Sequence, residues 1–195
     1  MAESKTETRQ TELRPGKWNV DFVHSSFIVS TRHMSVADLH AKFPGLKGAL
    51  QVNSEDPLKS TFELEVDTSR VTTGHPPQED FMRSEPWLDA EHHPSVTFRS
   101  TSITPSGPSQ FSIKGDLTLR GVTREVEILA DFHGVVADSW GLRAGFTSTV
   151  TVDRRDFGLT WNRTFDWGVM AGWDLTIELD IELAYPDASL AQTPQ

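Results

Sequence analysis

Four histidines, His24, His33, His92 and His93, are the side chains best suited to proton or metal chemistry, because imidazole titrates near neutral pH and coordinates divalent metals. Their spacing assembles no known metal motif. There is no HExxH pair, and the chain has no cysteine to supply a thiolate. His92 and His93 are neighbours, so on a strand they point to opposite faces. No metal site is expected. A plainer role is available: His24 and His33 bond backbone near a bend, and His92-His93-Pro94 shapes a strand entry. Arg154 and Asp156 form the second candidate pair. They could clamp a polar group, or make a local ion pair that fixes the turn at Phe157-Gly158. A Gly-x-Ser-x-Gly elbow and a phosphate-binding glycine loop are both missing, so nucleophilic hydrolysis and phosphate cradling have no support. No catalytic residue is assigned.

The elements that position these side chains read as strands. Between Gly107 and Asp131, Phe111, Ile113, Leu117 and Leu119 share one parity; after a Gly-Val-Thr break, Val126, Ile128 and Ala130 resume the alternation. Alternation around a short turn is a β-hairpin with one buried face. The rule repeats. Trp18, Val20 and Phe22 share one parity and Phe27, Val29, Thr31 and His33 the other, so a bulge or sharp bend is expected near His24-Ser25. Further strands are expected through Leu46–Val52, Phe62–Val66, Val96–Phe98, Leu142–Val152 and Trp173–Leu183. The stretch 72–94 breaks the alternation with Pro76-Pro77 and Pro86, and predicts one or two short helices across one end of the sheet, like a lid. Residues 159–172 read as a loop carrying Trp161, Phe165 and Trp167. The fold class is all-β: about eight antiparallel strands closed into a barrel, which removes exposed edges and is just wide enough to be filled or to enclose one small ligand.

At 195 residues the chain is most simply one domain, here 15–185, with polar tails at 1–14 and 186–195 expected to be disordered. A net charge of −10 argues against a nucleic-acid partner and against electrostatic docking on anionic lipid. No apolar run is long enough to span a membrane, and the N-terminus lacks a signal h-region, so a cytoplasmic location is expected.

Several segments together resemble the YceI-like family of lipocalin-like barrels, whose members are associated with polyisoprenoid binding. They are Trp18-Asn19-Val20-Asp21 with His24-Ser25 and His33-Met34; Phe81-Met82-Arg83 through Trp87-Leu88 to His92-His93-Pro94 and Val96-Thr97-Phe98; Gly115 through Thr123; and Arg154-Arg155-Asp156-Phe157-Gly158. The resemblance runs from about Trp18 to Leu183. It departs from the family at His93, where an aromatic is usual, at Thr31, and in the Trp-rich loop.

The resemblance implies a non-enzymatic carrier of a long apolar lipid: a polyisoprenoid, an isoprenoid quinone or a prenyl diphosphate. Such a ligand would lie among Phe22, Phe27, Val29, Phe43, Phe62, Leu64, Phe81, Trp87, Phe98, Phe111, Ile113, Leu117, Leu119, Phe146, Phe157, Trp161 and Leu175. Its polar end would meet His24, Ser25, His33, Arg154 or Asp156 at the open end of the barrel. Burying a five-carbon unit gains about 4 kcal/mol gross, at roughly 0.8 kcal/mol per methylene. Association costs about 4–15 kcal/mol, so a few units suffice. Taken singly, each apolar residue is ordinary core packing. Two alternatives stay open: an enzyme acting on such a lipid through His and Asp acid-base groups, and a solid-cored stress or interaction protein. A homodimer through an exposed strand edge is the expected assembly. No cofactor is expected beyond a bound lipid or quinone.

Overall fold

The computed structural model describes residues 12–186, so the tails expected over 1–14 and 186–195 lie outside the described residues except at their inner ends, where Leu13 packs against the core, Arg14 O accepts from Trp18 Nε1 at 2.8 Å and Pro186 pairs with Gly141. Strands follow in the order β1 (Gly16–Val20), β2 (Ser26–His33), β3 (Ala37–Lys42), β4 (Lys47–Val52) and β5 (Thr61–Asp67). The helix α1 (Pro76–Arg83) precedes β6 (Ser95–Pro105), β7 (Gln110–Leu119), β8 (Val122–Asp138) and β9 (Gly141–Asp153). The chain ends in β10 (Thr164–Phe165), β11 (Gly168–Val169) and β12 (Asp174–Pro186). The main sheet runs β1-β4-β5-β6-β7-β8-β9-β12, and β1 pairs back onto β12 through Asn19–Ala184 and Val20–Leu183, which closes an eight-stranded antiparallel barrel.

The parity change near His24 is a break between two strands. β1 and β2 lie successively along the same edge of β12, at Leu183–Ala184 and at Thr176–Asp180. In the break, Asp21 N donates to Glu182 O at 2.8 Å, Ser25 Oγ accepts from Glu182 N at 3.0 Å, and Asp21 Oδ1 accepts from Val23 N at 3.0 Å. The chain thus leaves the ladder at Asp21 and regains it at Ser26. Alternation does not continue through such a turn, and for that reason Phe22, expected to face inward, is 63% exposed.

The inward faces build one core. Trp18 is fully buried and meets Tyr185 at a centroid distance of 5.0 Å. Phe27 meets Phe43 edge-on at 5.5 Å, in the geometry that ring quadrupoles favour. A bulge between Ser100 and Ser102 is stabilised by Ser100 Oγ, which accepts from Phe62 N at 2.8 Å.

One end of the barrel carries the lid. Proline at the first positions of α1 fits, since their N–H groups have no intrahelical partner. The predicted helical stretch is a single α-helix followed by turns as far as His93. Glu79 ties α1 down by accepting from Thr72 Oγ1 (2.7 Å), Thr73 N (2.8 Å) and Gly74 N (3.0 Å). Thr72 itself exchanges backbone bonds with Lys42. The stretch 159–172, expected as a loop, is one that carries the small β10–β11 hairpin within it, with Phe165 stacked on Trp167 at 4.6 Å.

Candidate functional site

Three apolar cavities lie within the barrel and at its two ends. The central one, about 60 Å³, is lined by Leu50, Phe62, Phe98, Ile113, Phe146 and Ser148 among others, and draws on β4 through β9 and β12. A larger one, about 330 Å³, fills the end opposite the lid, between Leu13, Val52, Leu58, Ile103, Phe111 and Phe132. It shares Leu50, Ile113 and Phe146 with the central cavity, so the two adjoin. The third, about 120 Å³, lies under the lid, between β2–β3 and α1, and is bounded by Val29, Leu39, Phe81, Trp87, Trp161 and Leu175. Phe27, Leu64, Leu117 and Ile177 are buried but line none of the three. They belong to the one buried core cluster, and the lid-end cavity shares no lining residue with the other two. The interior is therefore partitioned, not an uninterrupted tunnel.

The lid end is organised by Arg154, which follows β9 and is 0% exposed. Its Nε donates to Gly172 O at 2.8 Å, Nη1 to Leu159 O and to Trp161 O (3.0 Å), and Nη2 to Ala171 O at 3.3 Å. Its guanidinium is stacked between the indoles of Trp87 and Trp173, at 5.0 and 4.4 Å. Burial lowers its pKa to about 10, which still leaves it charged at neutral pH. The arrangement corrects the expected Arg154–Asp156 ion pair. Asp156 is exposed, and the ion pair of this turn joins Arg155 to Asp153, whose carboxyl is pulled to about 2 by the hydrogen bond from Arg155. Arg154 uses its fork on carbonyls of the loop, and Asn162 reinforces the loop by bonding both N and O of Ala171. Two buried polar side-chain atoms among the described residues lack a partner: Trp87 Nε1 at the lid-end cavity and Ser148 Oγ at the central one.

The family description "YceI-like domain" matches residues 18–183. The chain belongs to the YceI-like family. It is 31% identical to a UPF0312 protein of Vibrio cholerae serotype O1 over 70% of this chain and 72% of that one, and 36% identical to a UPF0312 protein of Ectopseudomonas mendocina over 66% and 68%. Among solved structures, Burkholderia cenocepacia BcnA superposes with a TM-score of 0.71 at 19% identity, covering 84% of this chain and 98% of that one. A polyisoprenoid-binding domain from Saccharophagus degradans, implicated in plant cell wall breakdown, gives 0.67 at 12% identity, covering 87% and 98%. These structural likenesses establish the shared barrel.

In this YceI-like barrel the residues expected to line a ligand fall into four groups. Phe62, Phe98, Phe111, Ile113 and Phe146 border the central or open-end cavities. Val29, Phe81, Trp87, Trp161 and Leu175 border the lid-end cavity. Phe27, Phe43, Leu64, Leu117, Leu119 and Phe157 are buried core that lines none of the three. Phe22 is on the surface. Of the polar candidates only His33 borders one of these cavities, at the lid end. Ser25 staples the β1–β2 break. His24 is exposed and contacts Asp21 Oδ2 at 3.1 Å and Glu182 Oε1 at 3.7 Å. Those three side chains could offer ligand atoms to a metal ion. Arg143, however, stands 3.7 Å from both carboxylates and already supplies their countercharge. Ser148, Leu179, Ile181 and Leu183 border the central cavity although they were not singled out. Their inward parity was the available signal. No helix among the described residues is long and apolar enough to cross a membrane.

Proposed function

We propose that this barrel binds and carries a long apolar lipid of the isoprenoid type and performs no chemistry on it. The observation that carries this reading is the junction of the open-end and central cavities at Leu50, Ile113 and Phe146. The open-end volume of about 330 Å³ is at the lower bound of ordinary ligand pockets, roughly 300–1,000 Å³. An apolar chain entering there passes Glu12 and Ser60 in an otherwise apolar wall, and each methylene it buries contributes about 0.8 kcal/mol. The buried side chains Phe27, Leu64, Leu117 and Ile177 respond by rotamer change, as interface side chains commonly do on binding. The name of the Saccharophagus degradans relative fits the same ligand class.

The alternative of an enzyme using His24 and Asp156 draws no support from the geometry, since neither borders any of the three cavities. Pairing of two copies is assigned to β3, which ends the strand order and has one ladder partner, β2, apart from the single bridge from Lys42 to Thr72. Native mass spectrometry of the full chain, followed by analysis of its organic extract, tests the carrier reading. A prenyl lipid that co-purifies or rebinds in stoichiometric amount is the expected result. If no long-chain lipid co-purifies or rebinds, the carrier reading is wrong.

A further inference from the structure

Most of the open-end cavity is walled by strands, but one part of its rim is not. Glu12 and Leu13 border the cavity, precede β1 and belong to no strand. Leu13 is half-buried and packs against the core. The other lip outside the strands, the turn between β4 and β5, is held by its own bonds. Asn53 Oδ1 accepts from Glu55 N at 2.9 Å and from Asp56 N at 3.0 Å, Asn53 N donates to Ser60 Oγ at 3.1 Å, and Asp56 Oδ1 accepts from Leu58 N at 3.0 Å. These bonds fix the lip that brings Pro57, Leu58 and Ser60 to the cavity.

The segment before β1 reaches the mouth through a turn at Gly16. Its φ of +119° is one that residues with a Cβ rarely adopt, and a Cβ there would stand 3.2 Å from Tyr185 Cε2. β1 starts at the open end, where Gly16 pairs with Val52, so a straight continuation would leave the barrel. The turn returns the chain to the cavity instead. Pro15 stiffens the returning piece, since its ring fixes φ and holds Arg14 before it extended. Trp18, fully buried, tethers it: the indole Nε1 donates to Arg14 O at 2.8 Å. A stiff arm, a glycine pivot and a tether to a buried ring are the parts of a strap.

We propose that Glu12–Leu13 is a strap across the open-end cavity, which swings about Gly16 to let lipid pass and is latched by Leu13. This inference rests on the lipid-carrier reading and adds control of entry to it. Leu13 borders the void and does not fill it, so the strap closes over an empty cavity and an occupied one alike. The strap therefore sets how fast lipid enters and leaves, and has little effect on how tightly it is held. Gating segments of this kind commonly limit the rate of passage.

Stopped-flow mixing of the full chain with a fluorescent prenyl anthranilate, followed by a chase with excess non-fluorescent prenyl benzoate, measures both rates. Leu13→Ser releases the latch and raises the association and release rate constants about tenfold each, the effect of removing one half-buried leucine from the closed state, while Kd stays within about threefold of wild type. Trp18→Phe keeps a ring in the core but removes the N–H of the tether, and raises both rates in the same direction. If Trp18→Phe melts too low to compare, Leu13→Ser carries the decision. An association rate constant in Leu13→Ser that is equal to or below that of wild type overturns the strap, whether or not affinity falls, because Leu13 is then a fixed part of the wall. Binding of the probe by wild type, at any rate, keeps the carrier reading standing. If the probe binds neither protein, both readings fall.

Discussion

The guanidinium of Arg154 lies 5.0 Å from the centroid of the Trp87 indole, so the aromatic floor of the lid is packed directly on a buried cation. The pairing links two regions distant in sequence. Arg154 collects the carbonyls of the 159–172 loop, and Trp87 belongs to the turn that follows α1. One side chain therefore holds the loop, the lid and the end of β9 in fixed relation, and the shape of the lid-end cavity depends on it.

Arg154→Lys should be strongly destabilising. A lysine keeps the charge but lacks the planar fork, so it cannot reach four carbonyls at once or stack between the indoles of Trp87 and Trp173. The expected cost is about 3 kcal/mol, since several charge-assisted bonds are lost around a group that stays buried. In a thermal melt that corresponds to a drop of roughly 6–12 °C. A melting point within about 2 °C of wild type would mean that the loop carbonyls are satisfied without the fork.

Gly115 gives a test of the barrel wall. A Cβ added there would stand 2.4 Å from Arg99 O and 2.5 Å from Phe98 Cζ, so β6 and its inward ring would both have to shift. Gly115→Ala is expected to cost about 2 kcal/mol by overpacking, or roughly 4–8 °C. Phe98 also borders the central cavity, so the variant should lose lipid binding along with stability. Unchanged melting and binding would show that β6 and β7 are further apart than this geometry has them.

Acid should loosen the lid before the wall. Glu79 sits below its ordinary pKa of 4.5 because the Thr72 hydroxyl and the Thr73 and Gly74 N–H groups favour its anion. A carboxylate with a depressed folded pKa contributes stability above its unfolded pKa and loses that contribution as pH falls through its folded value. Asp153, at about 2, remains charged over most of this window. Hydrogen exchange read by mass spectrometry, corrected for intrinsic rates, should show α1 losing protection between about pH 5 and pH 3 while β12 keeps it. Glu79→Gln should remove that difference, because the amide oxygen still accepts but does not titrate. Parallel loss in α1 and β12 would place the acid-sensitive contact elsewhere.

Much of the wall was legible in the chain, because alternation is local. Phe111, Ile113, Leu117 and Leu119 declare β7 by themselves, and the parity switch at His24-Ser25 marks the break between β1 and β2. Phe22 was misplaced because parity counts only while the ladder lasts, and Asp21 ends it with a side-chain bond to Val23 N. The partition of the interior was not legible. Which inward residues line a cavity, as Phe98 does, and which are packed solid, as Phe27 and Leu64 are, depends on side chains meeting across the barrel, which no single strand encodes. Arg154 was misread for a related reason: its partners are backbone carbonyls, and those leave no mark on residue type. The orphan N–H of Trp87 is likewise visible only as the lack of an acceptor in three dimensions.

Ser148 offers a way to separate binding from folding at the central cavity. Its hydroxyl is buried without a partner among the described residues, beside a void of about 60 Å³. Ser148→Val removes the unsatisfied oxygen, and its second methyl extends into the void. Because the polar atom is lost rather than stranded and the added volume has somewhere to go, stability should rise by about 1 kcal/mol, seen as roughly 2–4 °C in melting. The same methyls narrow the passage between the open-end cavity and the centre, so affinity for a prenyl hydrocarbon should fall by about tenfold or more, the equivalent of losing one or two buried methylenes. A protein that is more stable and binds worse places the lipid path through this cavity. A more stable protein with undiminished affinity would mean that the tail lies wholly in the open-end cavity, beyond the reach of Ser148.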